Sequence, residues 1–266
     1  MHLPLNGPAA PARPTPTMGP QTAIDKFRDC AGARFPRMAN YSFDYGDVHF
    51  LCLDSNRYID PNEPALRAWI AADLSATTAI WKVVVFHHPP FNVGNEHYEV
   101  QHMRVLSPVF EAHGVDVVLS GHEHTYQRPR PLKFVPAGPG KSADLGGKDR
   151  RVPGTFTIDR AFNGVNNTRP DGILYIVTGA GGKHLYDPGF TDNPARWTHA
   201  DDGQADYVVK MVTDRHSLSV FDVDDTRLTM AQIDEAGNEF DRMTVTKGKR
   251  PPTDELLSSS ASRRNR

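Results

Sequence analysis

Two apolar runs that each end in histidine constrain this chain more than any other feature. Val115-Asp-Val-Val-Leu-Ser-Gly-His-Glu-His124 opens with the length and β-branched character of a buried strand. It breaks at Ser120-Gly121 and delivers His122 and His124. Upstream, Trp81-Lys-Val-Val-Val-Phe-His-His-Pro-Pro90 repeats the pattern and runs into His87 and His88. Two such strands predict one site at the carboxyl edge of a sheet, where open α/β folds hold their ligands. An extended backbone places residues i and i+2 on one side, so His122 and His124 are expected to face a single cavity. Neighbours alternate, so only one of His87 and His88 is expected to point into it.

The surrounding pattern supplies the rest of an α/β body. Tyr41–Leu53 reads as a β-hairpin turning at Gly46-Asp47 and entering a buried strand. Leu66, Trp69, Ile70 and Leu74 fall at helical spacing within Glu63–Leu74. A second helix is expected over about 100–112, between the two histidine strands. This β-α-β-α-β order argues for a partly parallel sheet. Gly172–Gly182 is another apolar strand running into glycines, which allow close backbone approach. Tyr207–Val212, Ser217–Val223, Leu228–Asp234 and Glu239–Thr246 alternate as antiparallel strands do.

Outside that body, residues 1–37 read as an irregular lead-in, with six prolines in the first 20 positions and a short helix expected over Ala23–Gly32. Residues 38–247 form the expected domain, with a Pro/Gly/Lys-rich surface insertion at 129–154 and a disordered tail at 248–266. The formal net charge of −2 gives no electrostatic case for nucleic acid or a membrane surface. No apolar run approaches the roughly 20 residues of a membrane span. The first residues lack the basic and apolar regions of a signal peptide, and the compartment stays open. Two cysteines, Cys30 and Cys52, imply no disulfide framework.

Histidine usage points to chemistry. Seven of the twelve histidines fall between positions 87 and 124. Neutral imidazole suits zinc, iron, manganese or nickel, and affinity alone does not choose among them. His122, His124 and His87 are the candidate ligands. His88 precedes Pro89 and is the candidate packed neighbour. His97, in a loop ten residues beyond His87, is a candidate proton donor or substrate contact, or a solvent-facing loop residue. His102 and His113 are expected to be structural. Asp54 is read as a turn or cap residue in preference to a ligand. Arg128 is a candidate for holding an anionic oxygen, or for pairing with a carboxylate.

Taken in order, several of these segments resemble a known family. Tyr41-Ser-Phe-Asp-Tyr-Gly-Asp-Val-His-Phe, Val84-Val-Phe-His-His-Pro-Pro, His97-Tyr-Glu, Met103-Arg104, Gly121-His-Glu-His-Thr-Tyr-Gln-Arg128 and Gly172–Gly182 are similar to the calcineurin-like metallophosphoesterases, in their purple acid phosphatase-like branch. The resemblance implies an α/β fold, a four-layer β-sandwich flanked by helices, with its amino-terminal part missing here. It implies two divalent or trivalent ions of iron, zinc or manganese, bridged by an aspartate and a water-derived nucleophile. His87 and His122 would ligate one ion and His124 the other. His97 would contact the phosphate and protonate the leaving group; Arg128, from its own chemistry, stays the further candidate substrate contact. The implied reaction is hydrolysis of a phosphate ester by in-line attack, both cations neutralising the developing charge.

The family's upstream motifs, which supply the bridging aspartate, the asparagine ligand and most ligands of the first metal, do not occur before Val84. The expectation is therefore a truncated, incompletely ligated and weakly active chain. Two alternatives stay open: a non-catalytic remnant acting as a binding or structural module, and a hydrolase using His87, His122 and His124 on one ion. The natural substrate and the oligomeric state are left open.

Overall fold

The computed structural model describes residues 6–8, 40–56, 59–138, 150–197 and 207–248. The expected helix over 23–32, Cys30, and most of the lead-in and tail lie outside those residues.

The chain opens with the predicted hairpin, β1 (Tyr41–Tyr45) and β2 (Val48–Cys52), joined at Gly46, whose φ of +56° suits glycine. Helix α1 (Pro64–Ala76) follows, with proline in its first turn, where the missing N–H costs nothing. Its apolar stripe buries Leu66, Ile70 and Leu74. Next come β3 (Trp81–Val85), a 3-10 turn (His102–Leu106) leading into α2 (Ser107–Ala112), and β4 (Val117–Ser120). After them run β5 (Tyr126–Pro129), β6 (Leu132–Pro136), β7 (Gly154–Ile158), β8 (Leu174–Thr178), β9 (Val208–Val212), β10 (Ser217–Val223), β11 (Arg227–Asp234) and β12 (Glu239–Thr246).

Seven strands form one sheet in the order β1-β2-β3-β4-β8-β5-β9, with β2, β3, β4 and β8 mutually parallel. Its central strands read as continuous apolar runs because both faces are covered. Val84, Val118 and Tyr175 point to α1, α2 and β6. Trp81, Val83, Val117, Leu174 and Ile176 point to a second, three-stranded sheet, β10-β11-β12. The Trp81 indole N–H donates to the Asp224 carbonyl (2.7 Å) and ties the layers together.

The mixed α/β class thus stands as expected. Among the described residues the layers are helices, large sheet and small sheet. The fourth layer implied by the resemblance is not among them, and Leu218 and Val220 of β10 face outward, 55% and 43% exposed. The 129–154 stretch is not one irregular insertion: it holds β6, paired antiparallel with β7. Leu132 and Phe134 alternate into the core there, a pattern too short to stand out beside the flanking prolines.

Candidate metal centre

The parallel register sets the site. Val85 of β3 lies opposite Leu119 of β4, so both strands release their chains at the same edge, two or three residues before histidine. His87 and the Gly121 turn are then joined directly, the Gly121 N–H donating to the His87 carbonyl (3.0 Å). His122 Nδ1 sits 3.0 Å from His87 Nε2. Two nitrogens about 2.0–2.1 Å from a shared zinc ion, at angles between right and tetrahedral, are separated by about 2.8–3.4 Å, so this pair falls within the spacing of two ligands of one ion. Ligand atoms of His87, His88 and His122 all lie within 4.8 Å of one another.

Two expectations about side-chain direction are corrected. His88 also enters the cluster, its ring 4.3 Å from that of His122 and 5.0 Å from that of His87. The alternation rule fails because β3 ends at Val85 and the chain is already turning at Phe86–His88. His122 and His124 are not carried by extended backbone: His122 has φ +65°, and the Glu123 N–H folds back to the Gly121 carbonyl (2.7 Å). His124 is thereby swung beside the trio instead of into it, its ring 5.0 Å from Tyr186 and 5.9 Å from His184. A left-handed non-glycine residue is strained, and such strain persists only where the surroundings enforce it. Gly179 leaves room for the turn: a Cβ at that position would stand 1.9 Å from the Glu123 carbonyl oxygen.

His97 lies beside the cluster, its ring centroid 3.9 Å from that of His122. Its backbone N–H donates to the buried Glu123 carboxyl (2.8 Å), so one residue of the His-Glu-His turn holds the loop that carries His97. Arg128 does not join the cluster. Its guanidinium pairs with Asp241 of β12 (Nε to Oδ2 2.7 Å, Nη2 to Oδ1 3.0 Å), and the Tyr126 hydroxyl donates to the same carboxylate. Tyr126 and Arg128 share the strand face turned to the small sheet, which takes Arg128 away from substrate contact.

His102 and His113 are structural as expected, donating to the Ser55 carbonyl (2.8 Å) and the Val109 carbonyl (2.7 Å). Asp54 accepts from the Asn56 backbone (2.9 Å), the expected turn role.

The cluster is held uncharged. Burial, reinforced by neighbouring imidazoles, lowers the pKa of His87, drives that of His88 far down, and brings that of His122 to about 3. Buried Arg150 adds to the pressure on His88 and His122. Neutral imidazole is the form that binds a cation. Burial also lifts the Glu123 carboxyl to about 7. Ser55, Glu123, Tyr186 and His184 carry no signal as site residues in the sequence, being ordinary residue types brought in by the fold. Arg150 has a faint one, as a cation in a segment that otherwise reads as surface.

Residues 19–126 match the family model described as calcineurin-like phosphoesterase. Purple acid phosphatase 18 of Arabidopsis thaliana is 35% identical over 111 residues, covering 37% of this chain and 24% of the relative. Purple acid phosphatase 23 of the same plant is 30% identical over 163 residues, covering 59% and 28%. The chain thus spans about a quarter of the length of these relatives. Among solved structures, purple acid phosphatase PPD1 from yellow lupin seeds superposes with a TM-score of 0.53 at 16% identity, over 83% of this chain and 34% of that one, a likeness of fold. Over residues 19–126 the sequence is similar to the calcineurin-like phosphoesterases and to the purple acid phosphatases among them, and the fold is similar to that of a purple acid phosphatase.

Proposed function

We propose that this chain carries the histidine half of a metal-dependent phosphoesterase centre acting on phosphate esters. The observation that carries the reading is the 3.0 Å approach of His122 Nδ1 to His87 Nε2, from two strand ends 35 residues apart. His87 and His122 hold one ion, and His124, beside Tyr186 and His184, offers its nitrogen to a second. A bound divalent ion supplies a Lewis acid that polarises the phosphoryl group and offsets negative charge in the transition state.

The chain's own groups do the rest. His97, partly exposed and tilted against His122, gives a proton to the leaving oxygen and contacts the phosphoryl group. Glu123 keeps His97 in place through its backbone. Arg128 and Tyr126 act at a distance, bracing the strand after the His-Glu-His turn against the small sheet.

One observation favours a second reading. Among the described residues the only three-member group able to hold an ion is made of imidazoles, with no carboxylate in it. A chain with this ligand set binds an ion but lacks the anionic bridge expected of a paired centre, as a non-catalytic module would. Zinc or manganese content of the purified chain, together with turnover of a generic aryl phosphate, separates the two. Ion binding with metal-dependent turnover supports the phosphoesterase, ion binding without turnover supports the module, and absence of ion binding overturns both.

A further inference from the structure

Three imidazoles converge at this site, yet hydrogen-bond valence lets only two of them take a cation. Ser55 lies at the end of the segment leaving β2 and is 2% exposed. Its Oγ accepts the backbone N–H groups of His87 and His88, both at 3.1 Å. A hydroxyl has two lone pairs and one proton, so these bonds exhaust its acceptor capacity. The third contact, to His88 Nδ1 at 2.8 Å, therefore runs from the hydroxyl to the ring nitrogen. His88 Nδ1 is an acceptor, the ring is neutral, and its proton sits on Nε2.

With Nδ1 spent on Ser55 and Nε2 carrying hydrogen, neither nitrogen of His88 has a lone pair for a metal. The ring has no room to flip freely: it is packed against His102 (5.4 Å), His87 (5.0 Å) and His122 (4.3 Å). Ser55 is fixed as well, its carbonyl receiving His102 Nε2 at 2.8 Å. Among the described residues, Nε2 of His88 makes no protein hydrogen bond.

Building on the phosphoesterase reading, we infer that His88 is a tautomer-locked N–H donor, and not a third ligand, that contacts an anionic phosphoryl oxygen held at the His87–His122 ion. A neutral donor beside the ion suits a phosphate ester because it adds a contact without competing for the cation.

The test uses nitrogen-15 NMR of the imidazole rings, in the metal-free and the zinc-loaded chain, with inorganic phosphate as the anion probe. We expect His88 Nδ1 unprotonated and Nε2 protonated in both states, and Ser55→Ala to mix the tautomers. His88→Ala should keep the number of zinc ions bound while weakening phosphate by about tenfold, the size of one good hydrogen bond. His88→Gln, which keeps an N–H donor, should recover part of that loss. A protonated Nδ1, an ion lost in His88→Ala, or unchanged phosphate affinity in that variant overturns the inference. If the wild-type chain binds no zinc, the metal reading and the phosphate contact fail together. The metal-free spectrum then still decides whether Ser55 locks the ring.

Discussion

Two histidine environments in this molecule behave in opposite ways. In the carboxyl-edge cluster, buried His88 and the more open His87 and His122 lie together, Arg150 bears on His88 and His122, and all three pKa values are pushed down. In the β1–β2 hairpin, His49 is buried as well, but Nδ1 meets Asp44 (2.6 Å) and Nε2 meets Asp73 (2.8 Å). Burial pulls its pKa down, and hydrogen bonds to Asp73 and Asp44 outweigh that pull and raise it. Both ring nitrogens of His49 donate, so this ring has no lone pair for a metal. The same side chain fastens a hairpin to a helix through two carboxylates in one place and joins a cluster of imidazoles in the other. Partners decide, and histidine count alone does not.

The largest effect should come from the cluster. His122→Ala is expected to weaken zinc or manganese binding by more than about 100-fold, beyond the range seen for supporting residues, as read by isothermal titration. His49→Gln should leave that affinity unchanged. Loss of ion affinity in the His49 variant would erase the distinction between the two regions.

Gly179→Ala should come next. The added Cβ meets the Glu123 carbonyl at 1.9 Å, so the turn must shift. We expect a loss of about 1–3 kcal/mol in denaturant unfolding, with weaker ion binding. A variant with unchanged stability would show that the strained turn at His122 does not depend on this close approach.

A smaller loss is expected at the hairpin. His49→Gln leaves buried acceptors of Asp73 short of donors and should cost about 1–2 kcal/mol near pH 6, measured by thermal unfolding. Asp73 also accepts from the Ser42 hydroxyl (2.6 Å), so part of the network survives.

The smallest and most informative effect is in pH dependence. His49 has a raised pKa in the folded chain. Its contribution is therefore full below the unfolded value near 6.5 and is lost as pH rises through the folded value. The cluster histidines have lowered pKa values. Their contribution is present above about 6.5 and is lost as pH falls towards the folded values. Wild-type stability should thus decline on both sides of neutrality. His49→Gln should flatten the alkaline side alone, and bound zinc should steepen the acid side, because protons compete for its ligands. Matching pH profiles for wild type and His49→Gln would contradict the assignment of charge to His49.

Much of this architecture is legible in the amino-acid sequence. The valine runs of β3 and β4 stand out because strands covered on both faces need continuous apolar sequence, and their histidines must emerge at the same edge. The divergence of His124 is not legible, because it depends on one left-handed residue in a turn that Gly179, more than 50 positions along the chain, makes room for. Nor is the role of Arg128, which is set by Asp241 on a different sheet. The network around Ser55 is equally hidden, since a serine after a strand carries no signal until two backbone N–H groups converge on its oxygen.

The most direct test is the zinc stoichiometry of the purified chain in a double-mutant comparison of His87→Ala, His122→Ala and the combined variant, with His124→Ala alongside. We expect the first three to lose the same single ion, with no further loss on combination, while His124→Ala retains it. Loss of different ions in the His87 and His122 variants, or retention of full stoichiometry in both, would contradict a shared ion between the two strand ends.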